Sequence, residues 1–116
     1  MVSIINFRKA ALSYPETSEA PHFEKTSFRV KNKIFATFDP VNKIASLKLS
    51  EADQYVFSAA APAVIYAVPN KWGKQGWTIV ELQKIKMDIF KEVLQRAYCE
   101  VAPVKLAQPF KKDKSI

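Results

Sequence analysis

The sequence predicts an α+β fold of two layers, in which a predominantly antiparallel sheet carries helices on one side. Three observations predict this fold. Apolar residues recur at helical spacing near both ends of the chain, side chains alternate with period two in the middle, and the apolar content of 48% in 116 residues suffices for one hydrophobic core. The predicted order is α-β-β-β-α-β-β-α, within one domain over residues 1–104.

The first helix is predicted between Ser3 and Leu12, with Pro15 soon after it. Its apolar stripe would consist of Ile4, Phe7 and Ala11. The segment Tyr14–Pro21 is predicted to be a loop.

A three-stranded meander is predicted next, over residues 28–31, 33–38 and 44–49. Asn32 tolerates a positive φ angle and therefore favours a tight hairpin between the first two strands. The alternation places Arg29, Lys31 and Lys48 at polar positions of this sheet.

Ser50 followed by Asp53 is typical of a helix start, and predicts a second helix from Glu51 to about Ser58. Two strands are predicted beyond it, over residues 64–68 and 77–82, with a loop between them. The final helix spans residues 86–100, and its stripe is formed by Phe90, Val93, Leu94, Ala97, Tyr98 and Val101.

The net charge of +7 is concentrated in two places. Residues 25–48 contain six basic side chains and one acid, Asp39, and residues 105–116 contain four lysines and one acid, Asp113. The second stretch is predicted to be a basic, flexible tail. A basic excess of this kind favours an anionic partner, although it also serves solubility alone.

Several classes of protein are disfavoured. No apolar run is long enough to cross a bilayer, and we expect a cytoplasmic location without membrane contact. The single Cys99 cannot form an internal disulfide and is predicted to be a buried structural thiol. Two glycines cannot supply the common phosphate-binding loops, so no cofactor is expected.

Both glycines and both tryptophans lie within residues 70–78. Two glycines in one loop suggest a forbidden backbone angle or a close backbone approach. One interpretation is a rigid wing that presents Lys71, Trp72 and Lys74 to nucleic acid. The alternative is that Trp72 and Trp77 are core anchors.

Glu16, Glu19 and the only histidine, His22, lie close together in the sequence. Such a group could form a metal site or an acid–base pair. The other interpretation is a loop without chemistry.

Taken together, several stretches resemble the MmcQ/YjbR family. They are Pro15-Glu16, 19–23, 27–30, 33–37, 47–49, Trp72-Gly73, 76–78, Ala97-Tyr98 and 101–103. The resemblance implies a bacterial protein with the secretion-chaperone-like fold. It also implies DNA binding through paired β-hairpin wings, and it supplies no catalytic residues.

The first hypothesis is therefore a non-enzymatic module that binds nucleic acid mainly through phosphates. Its candidate contacts are Arg29, Lys31, Lys33, Lys48, Lys71, Trp72 and Lys74. The alternative is a protein-interaction adaptor that receives a peptide or partner on the sheet, through Phe35 and Tyr66. No metal is expected, and the oligomeric state stays open.

Overall fold

The computed structural model describes residues 1–111, which form one six-stranded sheet with helices packed on one face. The strands are β1 (Thr17–His22), β2 (Lys25–Val30), β3 (Lys33–Asp39), β4 (Ile44–Lys48), β5 (Ile65–Ala67) and β6 (Trp77–Glu81). The helices are α1 (Ile4–Leu12), α2 (Glu51–Ala60), α3 (Lys71–Lys74), α4 (Met87–Val101) and α5 (Val104–Ala107), followed by a 3-10 turn (Gln108–Phe110). The order in the sheet is β1-β2-β3-β4-β6-β5, and every pairing is antiparallel. The predicted α+β class is confirmed.

The core lies between the sheet and α1 and α4. Phe7 of α1 packs against Phe28 and Phe90, with ring centroids 5.2 and 5.1 Å apart. A β-bulge in β3 leaves Phe35 unpaired between two ladder positions, so that Phe35 and its neighbour Ala36 are both fully buried. The strand therefore contributes two consecutive side chains to the core.

The hairpin between β2 and β3 forms as predicted. Lys31 and Asn32 have φ angles of 51° and 68°, and Val30 pairs with Lys33. Two positive φ angles are the signature of the turn that matches the twist of antiparallel strands.

The predicted element order is wrong at the first loop. Thr17–His22 is not a loop but β1, an edge strand paired along its full length with β2. The strand lacks large apolar side chains and contains Pro21, which an edge strand tolerates because one side of its backbone needs no partner. Glu19 is held by the Arg8 guanidinium of α1 at 2.9 Å.

The tail prediction is also wrong as far as Lys111. Val104–Ala107 is helical, Ala107 is fully buried, and the Phe110 ring lies edge-on to Tyr14 and Tyr98 at 5.1 and 5.7 Å. Residues 112–116 lie outside the described part of the chain. Among residues 1–111, no helix combines the length and apolar character that a membrane span requires.

Candidate nucleic-acid interface

The antiparallel topology brings several distant segments to one end of the sheet. The β2–β3 turn, the end of β4, the start of β6 and the connection that contains α3 all lie there. We call this the basic end, because it carries the predicted contacts Arg29, Lys31, Lys33, Lys48, Lys71, Trp72 and Lys74. Strands lie about 4.8 Å apart, so the basic end extends roughly 15–20 Å across the sheet.

The β2–β3 hairpin supplies three of these side chains. Lys31 is the first of the two turn residues and Lys33 is the first residue of β3, and both are exposed. Arg29 lies in β2, two residues before Lys31. The Nε of Arg29 donates to the Ser27 hydroxyl at 3.1 Å, which holds the guanidinium along the sheet. Lys31 Nζ lies 3.8 Å from the Glu16 carboxylate, with both side chains 56% exposed. A solvated pair of this kind contributes little and leaves the lysine available.

Lys48 is the last residue of β4 and pairs directly with Trp77, the first residue of β6. Both side chains are half-buried on the face of the sheet that the helices do not cover. Lys48 therefore joins the hairpin lysines to the α3 connection.

The connection between β5 and β6 was predicted to be a loop, but it contains the single helical turn α3. Asn70 starts the turn, its side-chain oxygen accepting from the backbone N–H of Trp72 at 2.9 Å. The Gln54 amide of α2 donates to the Gly73 and Trp77 carbonyls at 3.0 and 3.2 Å. These contacts tie the turn to the body of the protein.

The two glycines have the role that the sequence suggested. A Cβ atom at Gly73 would lie 2.0 Å from the Val68 carbonyl oxygen, and one at Gly76 would lie 2.0 Å from that of Leu49. Gly76 also has a φ angle of +106°, which L side chains rarely adopt. Any side chain at either position would force the backbone apart.

Trp72 is 49% exposed, so the alternative that it is a core anchor is wrong. Lys71 Nζ lies 5.8 Å from its ring centroid, within range of a cation–π contact. Lys74 is exposed at the end of the same turn. An aromatic ring and two ammonium groups thus share one short, tethered segment.

Trp77 does not anchor the core either. It is half-buried on the uncovered face, in line with Ile79 two residues further along β6. Tyr66 of β5 pairs with Ile79 and lies on the same face. The sequence predicts a partner-binding role for Tyr66, but it does not predict the face that Tyr66 shares with Trp77 and Ile79, although the alternation over residues 77–81 indicates that face.

The proposed acid–base or metal group does not assemble. Glu16 contacts Lys31 near the basic end, Glu19 is paired with Arg8, and His22 lies at the far end of β1. A strand rises about 3.3 Å per residue, which separates Glu16 from His22 by roughly 20 Å. Within residues 1–111 no three His, Cys, Asp or Glu side chains are grouped to hold a metal ion.

Cys99 is partly buried beneath the chain after α4, and its thiol donates to the Ala107 carbonyl at 3.7 Å. Burial raises the pKa of the Cys99 thiol above its ordinary value, against the smaller opposing effects of Lys111 and Arg96. The thiolate that a nucleophile requires is thereby disfavoured.

Comparisons with known proteins show which family and fold the chain is similar to. The family model described as YjbR matches residues 12–100. The crystal structure of Deinococcus radiodurans protein DR2400, with the domain DUF419, is similar in fold at a TM-score of 0.75 and 23% identity. That match covers 86% of this chain and 78% of the other. No curated protein matches the chain significantly. Since the family model spans most of the sequence, the chain belongs to the YjbR family.

Proposed function

We propose that this chain is a non-enzymatic module that binds nucleic acid through phosphate contacts at the basic end. The observation that supports the proposal is that segments distant in the sequence bring basic side chains to the same end of the sheet. Basic side chains from the β2–β3 turn, the end of β4 and α3 all lie at one end of the sheet, which also carries the exposed Trp72. Distributed cations bind a phosphate backbone without reading its bases, and an aromatic ring among them adds stacking.

The state of these side chains supports the proposal. Lysines at the basic end are mostly exposed, and Lys31 has only a solvated pairing with Glu16. Phosphate binding would therefore not first require a buried ion pair to break. The α3 turn is held by Gln54, so its backbone loses little freedom on binding.

The test is fluorescence-anisotropy titration of labelled duplex and single-stranded DNA at several salt concentrations. We expect the logarithm of affinity to fall linearly with the logarithm of salt concentration, by about 0.7–0.9 per phosphate contact. The double variant Lys31→Glu, Lys33→Glu should abolish binding at physiological salt.

The matched control is Lys43→Glu with Lys84→Glu. Both lysines are exposed and lie at the opposite end of the sheet, so the net charge changes equally while the basic end stays intact. This variant should bind nearly as well as the parent. Equal losses in the two variants would show unspecific charge attraction, and absence of binding at low salt would reject the proposal.

A protein-interaction adaptor is the second candidate, and a different surface favours it. No side chain of α2 is fully buried, and Tyr55 and Val56 on its outer side are 74% and 59% exposed. Exposed apolar side chains next to each other on a helix are typical of partner contacts. The predicted role of Phe35 in this function is wrong, because that ring is fully buried. Binding to a protein partner that survives high salt and is lost in Tyr55→Asp would support this candidate.

A further inference from the structure

The sheet face opposite the helices carries a group of aromatic and aliphatic side chains that phosphate binding does not use. Trp77 and Ile79 lie on this face two residues apart, and Tyr66 pairs with Ile79 across β5 and β6. All three are partly exposed. We call these three residues the aromatic platform.

We propose that the aromatic platform stacks the bases of single-stranded nucleic acid. The inference rests on the proposed function and narrows its ligand from nucleic acid in general to an unpaired strand. Bases inside a duplex present no free faces, whereas a single strand can place its bases on rings and its phosphates on adjacent cations.

The positions of the rings suit stacking. Tyr66 and Trp77 are diagonal cross-strand neighbours, roughly 7–8 Å apart at their backbones, and form two separate surfaces. The Tyr66 hydroxyl donates to the Glu81 carboxylate, which restricts rotation of that ring. The hydrogen bond with Glu81 is also the main reason that the pKa of Tyr66 is raised.

The cations nearest to the platform lie on one side of it, which gives the phosphates of a bound strand a place beside the rings. Lys48, the direct partner of Trp77, and Arg29 lie toward the basic end. Asp39 and Glu81 lie at the opposite end, where their carboxylates already accept hydrogen bonds from Asn42 and Tyr66. A phosphate backbone that follows Lys48 and Arg29 along the basic end would direct its bases onto the platform.

The first experiment uses a labelled oligo(dT) of about 12 nucleotides, within the site size of small single-strand-binding folds, and a duplex of equal length. Trp77→Leu and Tyr66→Leu keep apolar bulk but remove the rings. Each should weaken oligo(dT) binding about tenfold, with duplex binding unchanged. Tyr66→Phe keeps the ring and loses only its hydrogen bond with Glu81, so it should weaken oligo(dT) binding much less than Tyr66→Leu does. The salt slope should not change in any of these variants, because no charge is removed.

A second measurement does not depend on removing either ring. In Trp72→Phe, Trp77 is the only tryptophan left in the chain. Unlabelled oligo(dT) should quench its fluorescence at the concentrations that saturate binding, and the duplex should not. Thermal unfolding of each variant confirms that it is folded.

The outcomes separate the two proposals. Loss of binding in Lys31→Glu, Lys33→Glu, with no change in Trp77→Leu or Tyr66→Leu and no quenching, would overturn the platform and leave phosphate binding in place. Equal weakening of oligo(dT) and duplex in the ring variants would also overturn it. Failure of the parent to bind either ligand at low salt would reject both proposals.

Discussion

At the scale of single residues, the surroundings of Cys99 make its thiol less reactive. Cys99 looks at first like a reactive group, since it is a free thiol near the surface, but it lies under the Ala107 carbonyl and its pKa is raised. The sequence predicted a buried structural thiol at this position. The burial itself comes from the segment after α4, which was predicted to be a flexible tail from residue 105 onward.

Cys99 should therefore react slowly with iodoacetamide at about pH 8, where an ordinary thiol of pKa near 8.5 is already partly ionised. We expect alkylation of the native protein to be at least about tenfold slower than in denaturant. Mass spectrometry over time measures both rates. Equal rates would show that the thiol is not protected.

Asp39 gives the fold a defined dependence on pH. Its carboxylate accepts from the Asn42 side chain at 2.9 Å and from the backbone N–H groups of Val41 and Asn42. The Asn42 side chain is the main cause that lowers the pKa of Asp39, with the backbone groups and Lys25 adding to it. The carboxylate therefore binds its turn more tightly when ionised.

A lowered pKa in the folded state means that Asp39 stabilises the protein fully above the unfolded pKa of about 3.9. This stabilisation is lost as the pH falls through the lower folded value. Asp39→Asn should reduce the free energy of unfolding by about 1–2 kcal/mol at pH 7, and the difference should shrink below about pH 4. Urea unfolding across that range measures it. Asn42→Ala should weaken the same pH dependence, and a difference constant with pH would contradict the assignment.

Among the secondary-structure elements, the helix with strong sequence periodicity was predicted correctly, whereas the short helices were not predicted. The predicted α4, residues 86–100, differs by one residue at each end from the observed Met87–Val101. By contrast, α3 and α5 have four residues each, which is about one helical turn and too short for a repeating pattern. Their positions depend on tertiary contacts, such as that of Gln54 with Gly73, which no local pattern encodes.

The glycine positions make the α3 connection sensitive to small changes. Gly73→Ala and Gly76→Ala should each destabilise the protein by at least about 2 kcal/mol, because the added methyl group would meet a carbonyl oxygen. Gln75→Ala, at an exposed position between them, should change stability by less than about 0.5 kcal/mol. Chemical denaturation measures all three. Tolerance of alanine at both glycines would contradict the close approach.

The segment after α4 should contribute to stability through Phe110. The rings of Tyr14 and Tyr98 contact it, and burial is the main cause that raises the pKa of Tyr14 to about 12. Phe110→Ala should cost about 2 kcal/mol of unfolding free energy and accelerate alkylation of Cys99. Lys105→Ala, exposed in α5, is the control and should do neither. An unchanged stability in Phe110→Ala would show that the segment is not docked in solution.

For the whole molecule, the alternation over residues 28–49 and the apolar stripe of the last helix predicted a fold of two layers. The family was predicted from short stretches spread along the chain. The convergence at the basic end could not be predicted. It requires that β6 insert between β4 and β5, which places Trp77 beside Lys48. Strand order is set by long-range packing, and the sequence shows only that strands exist.

Stability should be distributed unevenly over this architecture. The helix α4 buries five side chains, whereas α2 has none that is fully buried. Elements with few buried contacts open at lower free energy, so amide hydrogens of α2 should exchange faster than those of α4 and β3. Hydrogen–deuterium exchange with peptide-level mass spectrometry tests this. Equal protection of α2 and α4 would indicate that α2 is covered in solution.

In the α3 connection, the two glycines determine the path of the backbone, and other residues form the exposed surface. Its path is fixed by backbone contacts at Gly73 and Gly76, while Lys71, Trp72, Lys74 and Gln75 point outward. Substitution of those four side chains should therefore leave the backbone path of the segment unchanged. Related chains that keep the glycines could present a different exposed surface on the same scaffold.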